Sequence, residues 1–579
     1  MAQTQTNLLN YVQHVIIVIQ ENRTPTNLFQ QDSALVPNGA HLSAVGTCGS
    51  PYPETFNLQP DALGTCYDPG HNHEQPSPDW TNMWENGHMD GACKITTYNL
   101  SSNCYPALCP DTNYQYCPEM TYVRNAPAGN GYNILDPYFT LANSYGFANY
   151  MFQTNQGASF PAHQFLFSGT SAPDSNGDSH DKSCGSNYDC HKWFDAENAS
   201  HVGQDGANGC VAQSNVQAYD IDPALDEAFE YLPPDPPAVQ AGFPCYTHNS
   251  LPTLLGPAGV SWRYYIREKN QGGYNLWNAP AAIHDICGPT KAGGYCNGQL
   301  YQTNVQPYLP CSGSGKYAND CAPILYDIEH CNLPQVSWVI PDGNWSDHGG
   351  NLPGDGGPSW VAAIVNAVGN SSTQSLGGGQ CDYWGTNPNS TISQPTVILV
   401  VWDDWGGMYD DVPPPNCGPG QQCGYYNSGN PPNGVQYVYG FRVPLLVISA
   451  YANQHYVSGA DGGPSPNCTP PSYCHDFGSI LNFIEYAFGT GGARLGGGLG
   501  ISLDSAWPYA DYFAMDYDRN DPSSYSLSDF FSFSPAGYHG FTTINNWKYP
   551  EKCFHVPNQT GCFPNSYPTD PDNDANESD

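Results

Sequence analysis

The sequence predicts an α/β fold, a mainly parallel central sheet flanked by helices, with long loop insertions stapled by disulfides. Four short runs carry the strands: Val15–Ile19 (VIIVI), Val336–Ile340 (VSWVI), Val397–Trp402 (VILVVW) and Val443–Ile448 (VPLLVI). They are apolar without alternation, as strands buried on both faces are. Between or after them, Ala224–Leu232 (ALDEAFEYL), Trp360–Val368 (WVAAIVNAV) and Ser479–Phe488 (SILNFIEYAF) repeat apolar residues at helical spacing. Buried strands alternating with helices imply a parallel sheet covered on both sides. The insertions follow from the cysteines: there are 22 in 579 residues, and none forms a C-x-x-C pair. An even number without zinc or redox spacing implies a disulfide framework, and disulfides persist in secreted or periplasmic proteins. Close pairs around turns include Cys184 and Cys190, Cys417 and Cys423, Cys468 and Cys474, and Cys553 and Cys562.

Residues 1–13 (MAQTQTNLLNYVQ) form a lead with neither a basic nor an apolar region, so no signal peptide is visible. The first strand then runs directly into Glu21 and Asn22. Either the strand has reached its polar end, or these oxygens line a site at the carboxyl edge of the sheet, where open α/β folds bind ligands. Residues of about 40–130 and 170–330 are rich in Cys, Gly and Asn with weak periodicity. They read as insertions over one end of the sheet.

Between the insertions, TNQGASFPAHQFLFSGTS puts Ser159 after Gly157-Ala158 and two residues before Pro161. A serine on a tight loop beside a metal can attack an electrophile, and Ser168 and Thr170 are rivals on the same segment. The VILVVW strand ends in Asp403 and Asp404, followed by Gly406-Gly407 to turn the chain. Adjacent buried carboxylates repel unless a cation sits between them. With Glu21 and Asn22 they make an all-oxygen set for one divalent metal ion, better suited to Ca²⁺, Mg²⁺ or Mn²⁺ than to zinc. His71 (YDPGHNHE), His348 (GNWSDHGG) and His475 (CHDFGS) stand in polar loops. Each is either a solvated loop histidine or a donor to a developing oxyanion or leaving group. The chain closes on a solvated acidic tail, PDNDANESD.

Fifty-three acidic residues against 15 basic give a net charge of −38. Such a surface repels nucleic-acid backbones, so nucleic acid is not an expected partner. No stretch approaches the roughly 18 apolar residues of a membrane span. The acid excess relaxes as carboxylates protonate, which suits an acidic medium; solubility alone would account for it equally. An aromatic content of 13% argues against disorder.

Laid end to end, these segments resemble the phosphoesterase family of bacterial acid phosphatases and non-zinc, phosphatidylcholine-preferring phospholipases C, which is similar in fold to the alkaline-phosphatase superfamily. HVIIVIQENRTPTNLF resembles the family's opening strand and E-N-R segment, and DPGHNHEQPSPDW with NGHMDGA its D-P-x-H and G-x-M-D-G-F blocks. ASFPAHQFLFSGTS is similar to the nucleophile loop, and VWDDWGGMYDDVPPP to the D-[DE]-x-G-G signature. GFRVPLLVISAYA, HDFGSILNFIEYAFG and DRNDPSSYSLSDFFSF resemble the remaining blocks.

The resemblance covers roughly residues 14–534. It implies one catalytic domain with inserts and leaves 535–579 as a C-terminal extension. It also implies that Glu21, Asn22, Asp403 and Asp404 hold the metal and that Ser159 is the nucleophile. His71 and His348 are then expected near the phosphoryl oxygens or leaving group, and His163 and His475 at the substrate. Three places depart from the pattern. The family's Y-D-H-V reads Tyr409-Asp410-Asp411-Val412, Ala162-His163 stands where Asn-Arg is common, and Phe477-Gly478 displaces the histidine preceding Ser479. The implied activity is a secreted metal-dependent phosphoric ester hydrolase, of acid phosphatase or phospholipase C type. Its expected partner is a phosphate ester or phospholipid. The alternative is a secreted metal-binding surface or structural assembly protein on a catalytically retired fold.

Overall fold

A computed structural model describes chiefly residues 8–49, 54–71, 89–99, 120–171, 209–221, 239–267, 276–308, 321–349, 354–374, 380–415, 439–499, 509–516 and 524–562. Eight strands form the central sheet: β1 (His14–Gln20), β2 (Gly146–Ala148), β3 (Trp262–Arg267), β4 (Val305–Tyr308), β5 (Val336–Val339), β6 (Thr396–Trp402), β7 (Leu445–Ser449) and β8 (Tyr456–Ser458). Their spatial order is β4-β3-β5-β1-β6-β7-β2-β8. The sheet is mainly parallel, as expected, but β7, the VPLLVI strand, runs antiparallel to both of its neighbours. Apolar patterning reports burial, not direction, so the sequence could not reveal this.

Strands β1 and β6 lie at the centre with every residue buried, which is why both read as unbroken apolar runs. Their register sets Gln20 opposite Trp402. The next residues of each strand, Glu21 and Asp403, therefore leave the sheet side by side. Four helices matter to the site: α1 (Asp136–Ser144), α2 (Ser159–Ser168), α3 (Gly357–Gln374) and α4 (Phe477–Phe488). All residues of α2 and α4 are buried, the mark of helices inside the core. Trp338 of β5 locks α2 to the sheet, its indole Nε1 donating to Leu166 O at 3.0 Å.

The stretch of about 170–330 is not wholly insertion, because β3 and β4 complete one flank of the sheet. Strand β3 reads Trp-Arg-Tyr-Tyr-Ile-Arg, and its aromatic and charged residues hide the β-branched signature of the other strands. The stretch of about 40–130 holds short ribbons around a satellite core, in which Leu58, Met83, Met89 and Met120 pack with Trp405, Tyr409 and Phe441. The turn after Asp404 thus also anchors that insertion.

Six disulfides lie among the described residues: Cys48–Cys93, Cys210–Cys245, Cys287–Cys296, Cys331–Cys381, Cys468–Cys474 and Cys553–Cys562. The helix expected at Ala224–Leu232, the pairs Cys184/Cys190 and Cys417/Cys423, and the acidic tail fall outside the described residues.

Candidate active site

Where β1 ends, the chain is laced to the strands on both sides. Asp403 N donates to Gln20 O at 2.9 Å, Arg23 N to Asp404 O at 3.1 Å, and Glu21 N to Ser346 O, in the loop after β5, at 2.8 Å. Asn22 takes the left-handed backbone conformation, φ +60°, which asparagine tolerates better than most residues. Its N–H donates to Asp403 Oδ1 at 3.1 Å. Gly406 and Gly407 are needed for proximity as much as for turning. A Cβ on Gly406 would lie 2.4 Å from Asn22 O, and one on Gly407 2.6 Å from Gly70 O, beside His71.

Ser159 is the first residue of α2. Its Oγ lies 3.2 Å from Glu21 Oε2 and 3.2 Å from Asp404 Oδ2, and can donate to either. One turn later, His163 shares that helix face. Its Nε2 is 3.1 Å from Glu21 Oε1 and 3.6 Å from Asp403 Oδ2. The other ring nitrogen, Nδ1, is 3.5 Å from the Tyr264 hydroxyl, whose hydrogen goes to Trp277 O. His71 Nδ1 bonds Pro69 O at 2.8 Å, which leaves Nε2 as an acceptor facing the Asn22 amide at 3.4 Å. That contact turns the Asn22 Nδ2 toward His71 and its Oδ1 the other way.

Glu21, Asp403 and Asp404 are completely buried. Burial, reinforced by the Asp403 and Asp404 charges, raises the Glu21 pKa well above the ordinary carboxylate range. Burial also lowers the His163 pKa to about 4, against the pull of Asp403. Two buried oxygens of the group, Asp403 Oδ2 and Asn22 Oδ1, accept no hydrogen bond. Orphaned oxygens beside crowded carboxylates are what a bound divalent cation would satisfy, so the residues fit one. Single donor atoms of Glu21, His163 and Asp403 all lie within 4.8 Å of one another.

His348 is also fully buried, its Nδ1 bonded to Gly349 O at 2.6 Å. Its ring packs at 5.9 Å on Trp277, the same indole that stacks on His163 at 6.3 Å. The residue before it, Asp347, holds φ +71°. Tyr138 OH (2.7 Å) and Trp402 Nε1 (3.3 Å) donate to its carboxylate, and Arg23 Nη2 to its carbonyl at 2.6 Å. Burial brings its pKa up to about 7. Strain of this kind concentrates where a side chain must be aimed.

His475 is not brought to this group. Its Nδ1 pairs with Asp516 at 2.7 Å, its Nε2 with Ser458 at 2.6 Å, and Asp529 lies 3.7 Å away. Asp411, the departure from the family's histidine, pairs with His41 at 2.8 Å, and Asp410 pairs with Arg442 at 2.9 Å. Trp277, Tyr264 and Asp347 carry no local signal that marks them as part of a site. Only the position of Asp347 beside His348 could have pointed to one of them.

The sequence profile of the phosphoesterase family matches residues 12–375 and 386–491. Phospholipase C A of Mycobacterium tuberculosis is 26% identical over 231 residues, 38% of this chain and 37% of that protein. The non-hemolytic phospholipase C of Pseudomonas aeruginosa is 23% identical over 262 residues, 42% of this chain and 30% of that protein. The hemolytic phospholipase C of the same organism is 22% identical over 500 residues, 84% of this chain and 54% of that protein. The matched stretches thus span from under a third to just over half of these relatives.

Proposed function

The chain belongs to the phosphoesterase family, and from that premise we propose that it is a metal-dependent hydrolase of phosphate esters, phospholipids among them, with Ser159 as nucleophile. One observation carries the proposal. Ser159 Oγ sits at the N-terminus of a buried helix, 3.2 Å from carboxylates of both Glu21 and Asp404. The three relatives named above are phospholipases C, which agrees with it.

Glu21, Asn22, Asp403 and Asp404 would hold the cation. When bound, it would supply positive charge that lowers the serine pKa and balances the phosphoryl oxygens. Ser159 gives its proton to water, attacks phosphorus in line and forms phosphoserine as the P–O bond to the alcohol breaks. The α2 N-terminus offers backbone N–H groups to the phosphoryl oxygens. His348 or His71, having taken up a proton from water on Nε2, protonates the leaving oxygen; water then cleaves the phosphoserine and releases phosphate or a phosphoalcohol. The disulfides support an oxidising, extracytoplasmic location.

The test is p-nitrophenol release from its phosphate and phosphorylcholine esters, with and without chelator, beside Ser159→Ala and Asp403→Asn. Loss of activity in both variants and with chelator is expected. Absence of wild-type turnover on either ester, with cation binding intact, would favour a metal-binding protein that has lost catalysis.

A further inference from the structure

We propose that His163 is itself a ligand of the cation through Nε2, which makes the site a mixed nitrogen–oxygen one that prefers Mn²⁺, Co²⁺ or Zn²⁺ to Ca²⁺ or Mg²⁺. The proposal rests on the reading above that this group holds a divalent ion, and it changes the class of ion expected from the four oxygen residues alone.

A ring nitrogen can bind the ion only if its proton sits on the other one. Tyr264 has a single hydroxyl hydrogen, which it donates to Trp277 O. Toward His163 Nδ1, 3.5 Å away, its oxygen can only accept. With the hydrogen on Nδ1, the tautomer that suits this acceptor, Nε2 presents a lone pair. That lone pair faces Glu21 Oε1 at 3.1 Å and Asp403 Oδ2 at 3.6 Å. Three lone-pair atoms converge inside the protein, and something positive must lie among them. A single proton on Glu21 can bridge only one pair of these atoms, to Nε2 or to Asp403. A cation satisfies all three.

The spacing agrees. Donors about 2.1 Å from a shared ion stand roughly 3.0 Å apart across an octahedral edge and about 3.4 Å across a tetrahedral one. The outer sphere agrees as well, since a ligating imidazole ordinarily donates its other N–H to an oxygen, here Tyr264. An imidazole donor disfavours Ca²⁺ and Mg²⁺ and favours first-row transition ions and zinc.

The experiment loads the full-length protein with one equivalent of Mn²⁺ and records electron spin-echo envelope modulation. Wild type is expected to show nitrogen coupling from a directly bound imidazole. The coupling should survive in His71→Gln and His348→Gln and vanish in His163→Gln. By equilibrium dialysis, His163→Gln should weaken Mn²⁺ binding by at least the roughly tenfold cost of losing an outer-sphere partner, with little change for Ca²⁺. A Mn²⁺-loaded wild type without nitrogen coupling would overturn the proposal while leaving the hydrolase reading standing, and needs no variant to fold. Coupling that persists in His163→Gln would also overturn it. Failure of the wild type to bind any divalent ion would sink both.

Discussion

Gly406→Ala tests whether the approach of two strand ends builds the site. Gly406 has φ +60°, and an added Cβ would stand 2.4 Å from Asn22 O and 2.5 Å from Asn22 Cβ, inside the 3.0 Å that such contacts essentially never breach. Both clashing atoms belong to the backbone or to its first side-chain atom, so Asn22 must retreat by more than half an ångström. Gly491→Ala supplies the control: its φ is +64°, and nothing lies within 4 Å of its Cβ. Each variant carries the roughly 1–2 kcal/mol cost of a left-handed residue with a Cβ. Only Gly406→Ala moves Asn22 Oδ1 relative to Asp403, and misplacement of reacting groups by about 1 Å costs on the order of 100-fold in rate. The assay pairs thermal unfolding with aryl phosphate turnover and Mn²⁺ affinity. The expected result is destabilisation of both variants, larger in Gly406→Ala, where the clash adds about 1–3 kcal/mol to the left-handed cost, with rate and affinity falling only there. Unchanged rate and affinity there would refute the claim that Asn22 is a ligand held by this contact.

Glu21 has a strongly raised pKa in the ion-free group, so cation uptake should expel a proton and tighten as pH rises; calorimetry in buffers of different ionisation enthalpy reads the proton directly. His71→Ala removes the partner that orients the Asn22 amide and should weaken the ion by about 10–100-fold, as loss of outer-sphere partners does. In His475, burial lowers the pKa but Asp529 and Asp516 outweigh it and raise it from 6.5 to about 10. Its stabilising contribution is therefore complete below about pH 6.5 and lost as pH rises through about 10. His475→Gln should cost roughly 3–5 kcal/mol at pH 6, a deficit in denaturant midpoint that narrows above pH 10. Replacing Cys331 and Cys381 by serine opens a link across 50 residues and should remove up to about 4 kcal/mol of loop-closure stabilisation, read as a fall in unfolding temperature without loss of cation binding.

Much of the core was legible because burial on both faces leaves an unmistakable run of β-branched residues. Val15–Ile19 and Val397–Trp402 declared β1 and β6, while the acids that follow them left open a polar strand end or a ligand site at the carboxyl edge of the sheet. The i, i+4 spacing of Ser159 and His163 was equally visible, but it has meaning only once α2 is known to be a helix aimed at Glu21. Strands β3 and β4 escaped because their aromatic and polar residues carry no simple period. His475 looked like a loop histidine near the chemistry, yet Asp516 and Asp529, more than 40 residues downstream, claim it.

The sequence by itself determined which residues could do chemistry and which strands must be central, because those depend on residue type and local period. It also determined the disulfide-rich, strongly acidic character of the protein. Only the tertiary structure decided that β1 and β6 end in register, so that Glu21 and Asp403 leave the sheet side by side. The fold likewise set the Tyr264 hydroxyl beside the His163 ring and closed Gly406 onto Asn22. These are relations between segments hundreds of residues apart, set by packing and hydrogen-bond geometry that no local pattern encodes.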